Sequence, residues 1–160
     1  MKRIKIEIDV ELCSIEELSE RERDLVQRAI EATGNSYAKY SRFYVGAAVL
    51  LNNDEVFIGA NQENAAFPSG LCAERSAIFA AQSNRPEQPI KMLAIAARND
   101  AGLLNDPITP CGSCRQVILE IEDRYQQPVE IMLYGKRGIY KIMSVKDLLP
   151  LSFVDANMKA

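Results

Sequence analysis

The sequence predicts an α/β layered fold built on a mixed sheet. Strand-length apolar runs alternate with helix-length amphipathic segments, which places helices between strands. One pair of runs is joined by a tight polar turn, which adds antiparallel pairing to the sheet. At 160 residues the chain suits one domain with a single core, and no repeat, linker or break in composition divides it.

The elements follow in order. Ile4, Ile6, Ile8, Val10 and Leu12 alternate with Lys5, Glu7, Asp9 and Glu11, the pattern of a half-buried strand, so residues 1–13 are expected to add an N-terminal strand to a core over 18–154. Ser19 with Glu22 forms a capping box for a helix over 20–33. Leu18, Leu25, Val26, Ala29 and Ile30 fall on one face of it, and Gly34 is placed to stop it. Residues 45–51 and 55–60 flank Asn52, Asn53 and Asp54 as a hairpin, and 61–71 reads as a loop. Residues 72–84 form an Ala-rich helix, and 90–97 is an apolar run typical of a strand covered on both faces. Residues 98–110 read as a loop in which Arg98 and Asp100 belong to a solvated turn. A helix over 112–125, strands over 129–134 and 139–143 around the Gly-Lys-Arg-Gly turn, one helical turn over 144–149 and a tail complete the chain.

Composition removes whole classes of function. Nineteen Lys and Arg against twenty-two Asp and Glu give a net charge of −3, so no summed positive field exists to hold a nucleic acid. The chain has no histidine, which excludes Ser-His-Asp and Cys-His catalysis and His-ligated zinc sites together. No run approaches the roughly 18 apolar residues of a membrane span, and the alternating first segment is not a signal peptide. A cytoplasmic protein is therefore expected, with Cys13, Cys72, Cys111 and Cys114 reduced.

Three of those cysteines stand at predicted helix starts: Cys72 before one helix, Cys111 and Cys114 at the next. Helix N-termini favour thiolates, so the three could converge on one metal ion. Three protein ligands leave the fourth position of a tetrahedral zinc open, the catalytic pattern. Cys13 lies apart in the N-terminal addition. Glu74 is the carboxylate best placed to move protons beside the metal. A C-x-x-C pair such as Cys111 to Cys114 alone fits a redox pair or half of a structural zinc site equally well. Joined with Cys72-Ala73-Glu74, and with Pro110-Cys111 39 residues after Cys72, it matches the zinc deaminase motif with Cys in place of His as first ligand.

The chain resembles the small homotetrameric cytidine deaminases from about Leu18 to Phe153. The resemblance rests on Phe43-Tyr44-Val45-Gly46-Ala47-Ala48, Asn61-Gln62-Glu63-Asn64-Ala65, Gly70-Leu71-Cys72-Ala73-Glu74-Arg75 and Thr109-Pro110-Cys111-Gly112-Ser113-Cys114-Arg115-Gln116. It implies a three-layer α/β/α fold with a mixed five-stranded sheet, to which the N-terminal strand would be extra. It implies one zinc ion per chain on Cys72, Cys111 and Cys114, with Glu74 as proton shuttle. Asn61 and Glu63 match the pair that hydrogen-bonds the ribose 3′-hydroxyl, Phe43 the aromatic against the pyrimidine, and the Ala73 amide the donor to its 2-oxo group. Ala65, Phe67 and Phe153 match positions presented into a neighbouring subunit's site.

The chain departs from the family at Tyr44, where Pro is usual, at Gln62, where Ile is usual, and at Phe67, where Tyr is common. Independently of the resemblance, three thiolates and one zinc ion sum to −1, and Arg75 can donate to the sulfurs and offset that charge. The expected function is hydrolytic deamination of cytidine and 2′-deoxycytidine in pyrimidine salvage, on a free nucleoside and with no nucleic-acid or membrane partner. The alternatives are a deaminase of another cytosine nucleoside, such as blasticidin S, and a non-catalytic zinc or redox module.

Overall fold

The computed structural model describes residues 1–159. Its strands are β1 (Glu11–Cys13), β2 (Tyr44–Leu51), β3 (Val56–Ala60), β4 (Ile90–Asn99), β5 (Gly102–Leu103), β6 (Glu130–Gly135) and β7 (Gly138–Ile142). Its α-helices are α1 (Glu20–Ala32), α2 (Ala73–Asn84) and α3 (Gly112–Tyr125). One sheet runs β1-β7-β6-β4-β2-β3, with β5 on β4. The β4–β6 pair, joined through α3, is parallel and the other pairs are antiparallel, so the sheet is mixed as expected.

Side-chain alternation along the central strands sorts the core into two layers. Ala48, Leu50, Ala94, Ala96 and Met132 face α1, where Leu25, Val26 and Ala29 bury against them. Val49, Leu51, Leu93, Ile95, Ile131 and Leu133 face the other way, against Ala77 and Ile78 of α2 and Ile118 and Leu119 of α3. The α1 cap forms as predicted: the Ser19 amide donates to Glu22 at 2.7 Å and the Glu22 amide to the Ser19 hydroxyl at 3.3 Å. Glycines in the β2–β3 hairpin bring the helices onto the sheet. A Cβ at Gly46 would collide with the backbone of Ala29 and Thr33, and one at Gly59 with the backbone of Ala73 and Ala77. Gly59 thereby fixes how closely α2, and with it Cys72, approaches β3.

Two expectations need correction. The N-terminal strand is confined to Glu11–Cys13 on β7, and residues 1–10 are exposed and outside any strand. β7 ends at Ile142, one residue beyond the partner of Glu11, so the alternating segment runs past the end of its ladder. The segment 98–110 is not all loop: β4 continues to Asn99 and turns into β5 at Gly102, whose φ of +112° suits glycine. The sheet thus has seven strands rather than five plus one. A two-residue strand is too short to leave a periodic pattern.

Arg98 leaves the solvated turn assigned to it for the end of β4, while Asp100 stays in an exposed turn. Asp100 accepts from Arg42 Nε at 2.6 Å and from the Tyr44 hydroxyl at 3.3 Å, while the Arg98 guanidinium lies over the Tyr44 ring at 4.7 Å. Tyr44, a departure from the usual proline, is the centre of this clasp. Gln62, another departure, donates to the Asn35 carbonyl at 3.1 Å and bridges Tyr37 to Leu71 through its backbone.

Candidate metal centre and adjoining cleft

Cys72 is the N-cap of α2 and Cys111 the N-cap of α3, with Cys114 in the first turn of α3. Both helices point their unpaired first-turn N–H groups and positive dipole ends at one spot. The Cys72 and Cys111 sulfurs stand 3.8 Å apart and those of Cys111 and Cys114 3.5 Å, with all three inside a 4.8 Å span. Two Zn–S bonds of about 2.3 Å at a tetrahedral angle separate their sulfurs by about 3.8 Å. The donor set and its spacing therefore fit a single zinc ion. Among the described residues no fourth His, Cys, Asp or Glu joins the group, which leaves a position for a non-protein ligand. Cys13 lies elsewhere, with its thiol on the Ile139 carbonyl at 3.6 Å.

The electrostatics of the cluster are those of groups that cannot all be charged together without a cation. Hydrogen bonding with Cys114, helped by Arg75 and Cys111, holds the Cys72 thiol down at about 5 although burial opposes it. Cys114 is pushed up by that same hydrogen bond to Cys72 and by its burial. Arg75 Nη2 donates to the Cys72 sulfur at 3.4 Å, and its Nε is buried without a hydrogen-bond partner. That position sets a cation against one of the three sulfurs.

Glu74 lies in the first turn of α2 and is 4% exposed. Burial raises its carboxyl above the usual carboxylate value, the direction that suits a group which must both take up and release a proton. It lines a hollow of about 270 Å³ together with Phe43, Asn61, Cys72, Thr109 and Cys111. A second hollow of about 430 Å³ shares Asn61 and Cys72 with the first and adds Tyr40, Glu63 and Phe67. The two form one cleft leading to the sulfurs, large enough for a small polar ring compound. Ala73, the first residue of α2, has an N–H without an intrahelical partner beside this cleft.

Asn61 and Glu63 sit in the cleft wall already partly engaged. Asn61 Oδ1 accepts from the Val45 amide at 2.8 Å and its Nδ2 donates to the Phe43 carbonyl at 2.9 Å, which ties the loop to the start of β2. Each keeps one donor or acceptor free. Glu63 accepts from the amides of Tyr40 at 2.7 Å and Ser41 at 3.2 Å. Hydrogen bonding to Ser41 and Tyr40 outweighs desolvation and holds its carboxyl below the usual range, so it is ionised. Phe67 is 74% exposed and packs edge-on to Tyr40 at 5.7 Å; Phe153 is 60% exposed and Ala65 is exposed too. Within one chain these three do not close over the metal cluster.

Sequence reasoning missed the residues that brace the site. Arg115 Nε donates to the Pro110 carbonyl at 2.8 Å, Nη1 to the Leu148 carbonyl at 2.6 Å and Nη2 to the Thr109 hydroxyl at 3.1 Å, clamping the loop that delivers Cys111. Gln116 Nε2 donates to the Phe153 carbonyl at 3.0 Å. Ile108 and Thr109 line the hollow. Thr109, Arg115 and Gln116 were legible only as members of the motif from Thr109 to Gln116, with no role attached to them; Ile108 carried no signal.

Comparison with known proteins gives a consistent picture. Residues 19–126 match the family model described as the cytidine and deoxycytidylate deaminase zinc-binding region. A cytidine deaminase of Halalkalibacterium halodurans is 38% identical over 134 residues, covering 84% of this chain and 95% of that protein. The crystal structure of cytidine deaminase from Burkholderia pseudomallei superposes with a TM-score of 0.69 at 36% identity, over 81% of this chain and 97% of the other. That from Mycobacterium tuberculosis superposes with a TM-score of 0.64 at 30% identity, over 82% and 95%.

The assignment of ligands has a direct check. Metal analysis of purified protein should find one zinc per chain; Cys13→Ala should keep it, and Cys111→Ala should lose it. Zinc lost with Cys13 and retained without Cys111 would overturn the site.

Proposed function

The chain belongs to the cytidine and deoxycytidylate deaminase family, and from that premise we propose that it hydrolyses cytidine and 2′-deoxycytidine to uridine and 2′-deoxyuridine, releasing ammonia. The observation that carries the reading is a buried carboxyl, Glu74, beside three convergent sulfurs at the closed end of a cleft. A structural zinc site or a redox pair has no use for a carboxyl there. Zinc, when bound, supplies Lewis acidity and an open coordination position.

The chain's own groups supply the rest. Glu74 takes a proton from the attacking water and delivers it to N3 of the pyrimidine, then takes the remaining proton from the new C4 hydroxyl and delivers it to the amine that leaves C4. One water is consumed and one ammonia is released. The raised carboxyl of Glu74 suits both the basic and the acidic half of that cycle. Phe43 packs on the pyrimidine ring, the Ala73 N–H donates to its 2-oxo group, and the free positions of Asn61 and Glu63 take the ribose 3′-hydroxyl. Arg75 offsets the thiolate charge and so preserves the Lewis acidity of the metal.

An ionised Glu63 in the sugar end of the cleft also selects the substrate class. A carboxylate near the 3′ oxygen repels a phosphate there, which favours a free nucleoside over a base within a nucleic-acid strand, as does the net charge of −3. The residues Ala65, Phe67 and Phe153 complete the cleft from a neighbouring subunit in a homotetramer. Exposure of both phenylalanines, each on a short segment with little regular structure, supports that arrangement. Among the described residues no helix is long and apolar enough to cross a membrane, in keeping with a cytoplasmic salvage enzyme.

Two measurements test this reading. Glu74→Gln should keep its zinc and bind nucleoside while kcat falls by about three orders of magnitude or more, since an amide fills the volume but moves no proton. Appreciable turnover in that variant would remove Glu74 from the chemistry. Phe153→Ala should raise KM with little change in thermal midpoint, and light scattering should find a tetramer. An active monomer whose KM ignores Phe153→Ala would contradict the shared site and leave the zinc chemistry standing.

A further inference from the structure

We infer that the N-terminal arm, residues 1–10, is a docking strand for the same arm of a second copy. Its apolar side chains have nowhere to go in the single chain: Ile4 is 83% exposed, Ile6 49% and Ile8 53%. Strict alternation of this kind is the pattern of a strand with one covered face, and an unpaired alternating strand is a template for pairing. The arm is continuous with β1, which is already held on β7 at the outer edge of the sheet. Residues 1–10 run beyond the end of that ladder, so a second arm paired with them forms a two-stranded ribbon anchored at one end on the sheet; such a ribbon is marginal alone, and its pairing must be carried by the side chains of the two arms.

Charge order within the arm selects the occupant. All odd positions from Arg3 onward are charged, with the first half basic (Arg3, Lys5) and the second acidic (Glu7, Asp9). Two copies running antiparallel about a two-fold at Ile6 place Arg3 opposite Asp9 and Lys5 opposite Glu7. The same register sets Ile4 opposite Ile8 on the other face. Each pair occurs twice by symmetry. Sliding by two residues one way faces Lys5 with Lys5, and the other way faces Glu7 with Glu7. Sliding by one sets charged positions opposite isoleucines. One register thus satisfies both faces, and it is self-complementary, which is the property of an interface between identical chains. This contact is separate from the metal cluster and from Phe67 and Phe153, so it stands or falls independently of the shared-site reading.

Reversing half of the charges gives the test. Arg3→Glu with Lys5→Glu makes an all-acidic arm, and Glu7→Lys with Asp9→Lys an all-basic one, each self-repelling in the proposed register. Sedimentation of full-length zinc-loaded protein should show an association step that disappears when residues 2–10 are removed. Either reversed variant alone should weaken that step by about tenfold or more, and an equimolar mixture of the two should restore it. Raised salt should weaken it as well. The inference is overturned if removing residues 2–10 leaves association unchanged, if each reversed variant associates like the unaltered chain, or if mixing them restores nothing. Circular dichroism of the variants separates these outcomes from misfolding.

Discussion

Three thiols held within 4.8 Å of one another set the terms for the rest of this molecule. They cannot all ionise side by side unless a cation lies among them, and without one they share protons, which is why Cys72 is driven down and Cys114 up. Everything around the cluster lowers the cost of negative charge at that point. Two helices begin there, so their dipoles and free N–H groups converge on it. Arg75 donates to one sulfur. Arg115, clamped to Thr109, Pro110 and Leu148, keeps the second helix start in place.

The sheet exists, from the site's point of view, to aim those two helix starts. α2 presses on β3 at Gly59 so closely that no side chain fits between them, and α3 crosses over from β4 to the parallel strand β6 beside it. On the opposite face α1 covers the small residues Ala48, Ala94 and Ala96. The layer of α1 contributes no ligand. Its part is to bury the back of the sheet so that β2 and β4 are fixed; β2 in turn supplies the Val45 amide that holds Asn61 and positions Phe43 just before it, whose carbonyl holds Asn61 as well.

Much of this was legible in the sequence because the determinants are local. Ser19 and Glu22 announce α1, and the hairpin polar turn announces β2 and β3. The spacing of Cys72, Glu74, Cys111 and Cys114 announces the metal centre. What was not legible depends on what lies opposite in space. The alternation of residues 1–12 specifies a strand but not whether a partner ladder extends far enough, and β7 does not. Arg98 looks like a turn residue until β4 is seen to run on through it and Tyr44 is folded beneath its guanidinium. Arg115 stands in a motif with no role attached until three oxygens, two from the loop just before α3 and one from Leu148, arrive around it. Asn61 and Glu63 were assigned to substrate alone, and the structure adds that each first braces its own loop.

The central claim is that the sulfur cluster with Glu74 is a zinc-dependent deaminating centre for a free nucleoside. The most direct measurement follows the absorbance loss of cytidine, with ammonia release, for the protein as purified, after zinc removal by a chelator, and after zinc is returned. The account predicts turnover that vanishes with the metal and returns with about one zinc per chain. Turnover unaffected by complete loss of zinc, or none on cytidine or 2′-deoxycytidine with the metal fully bound, would contradict it.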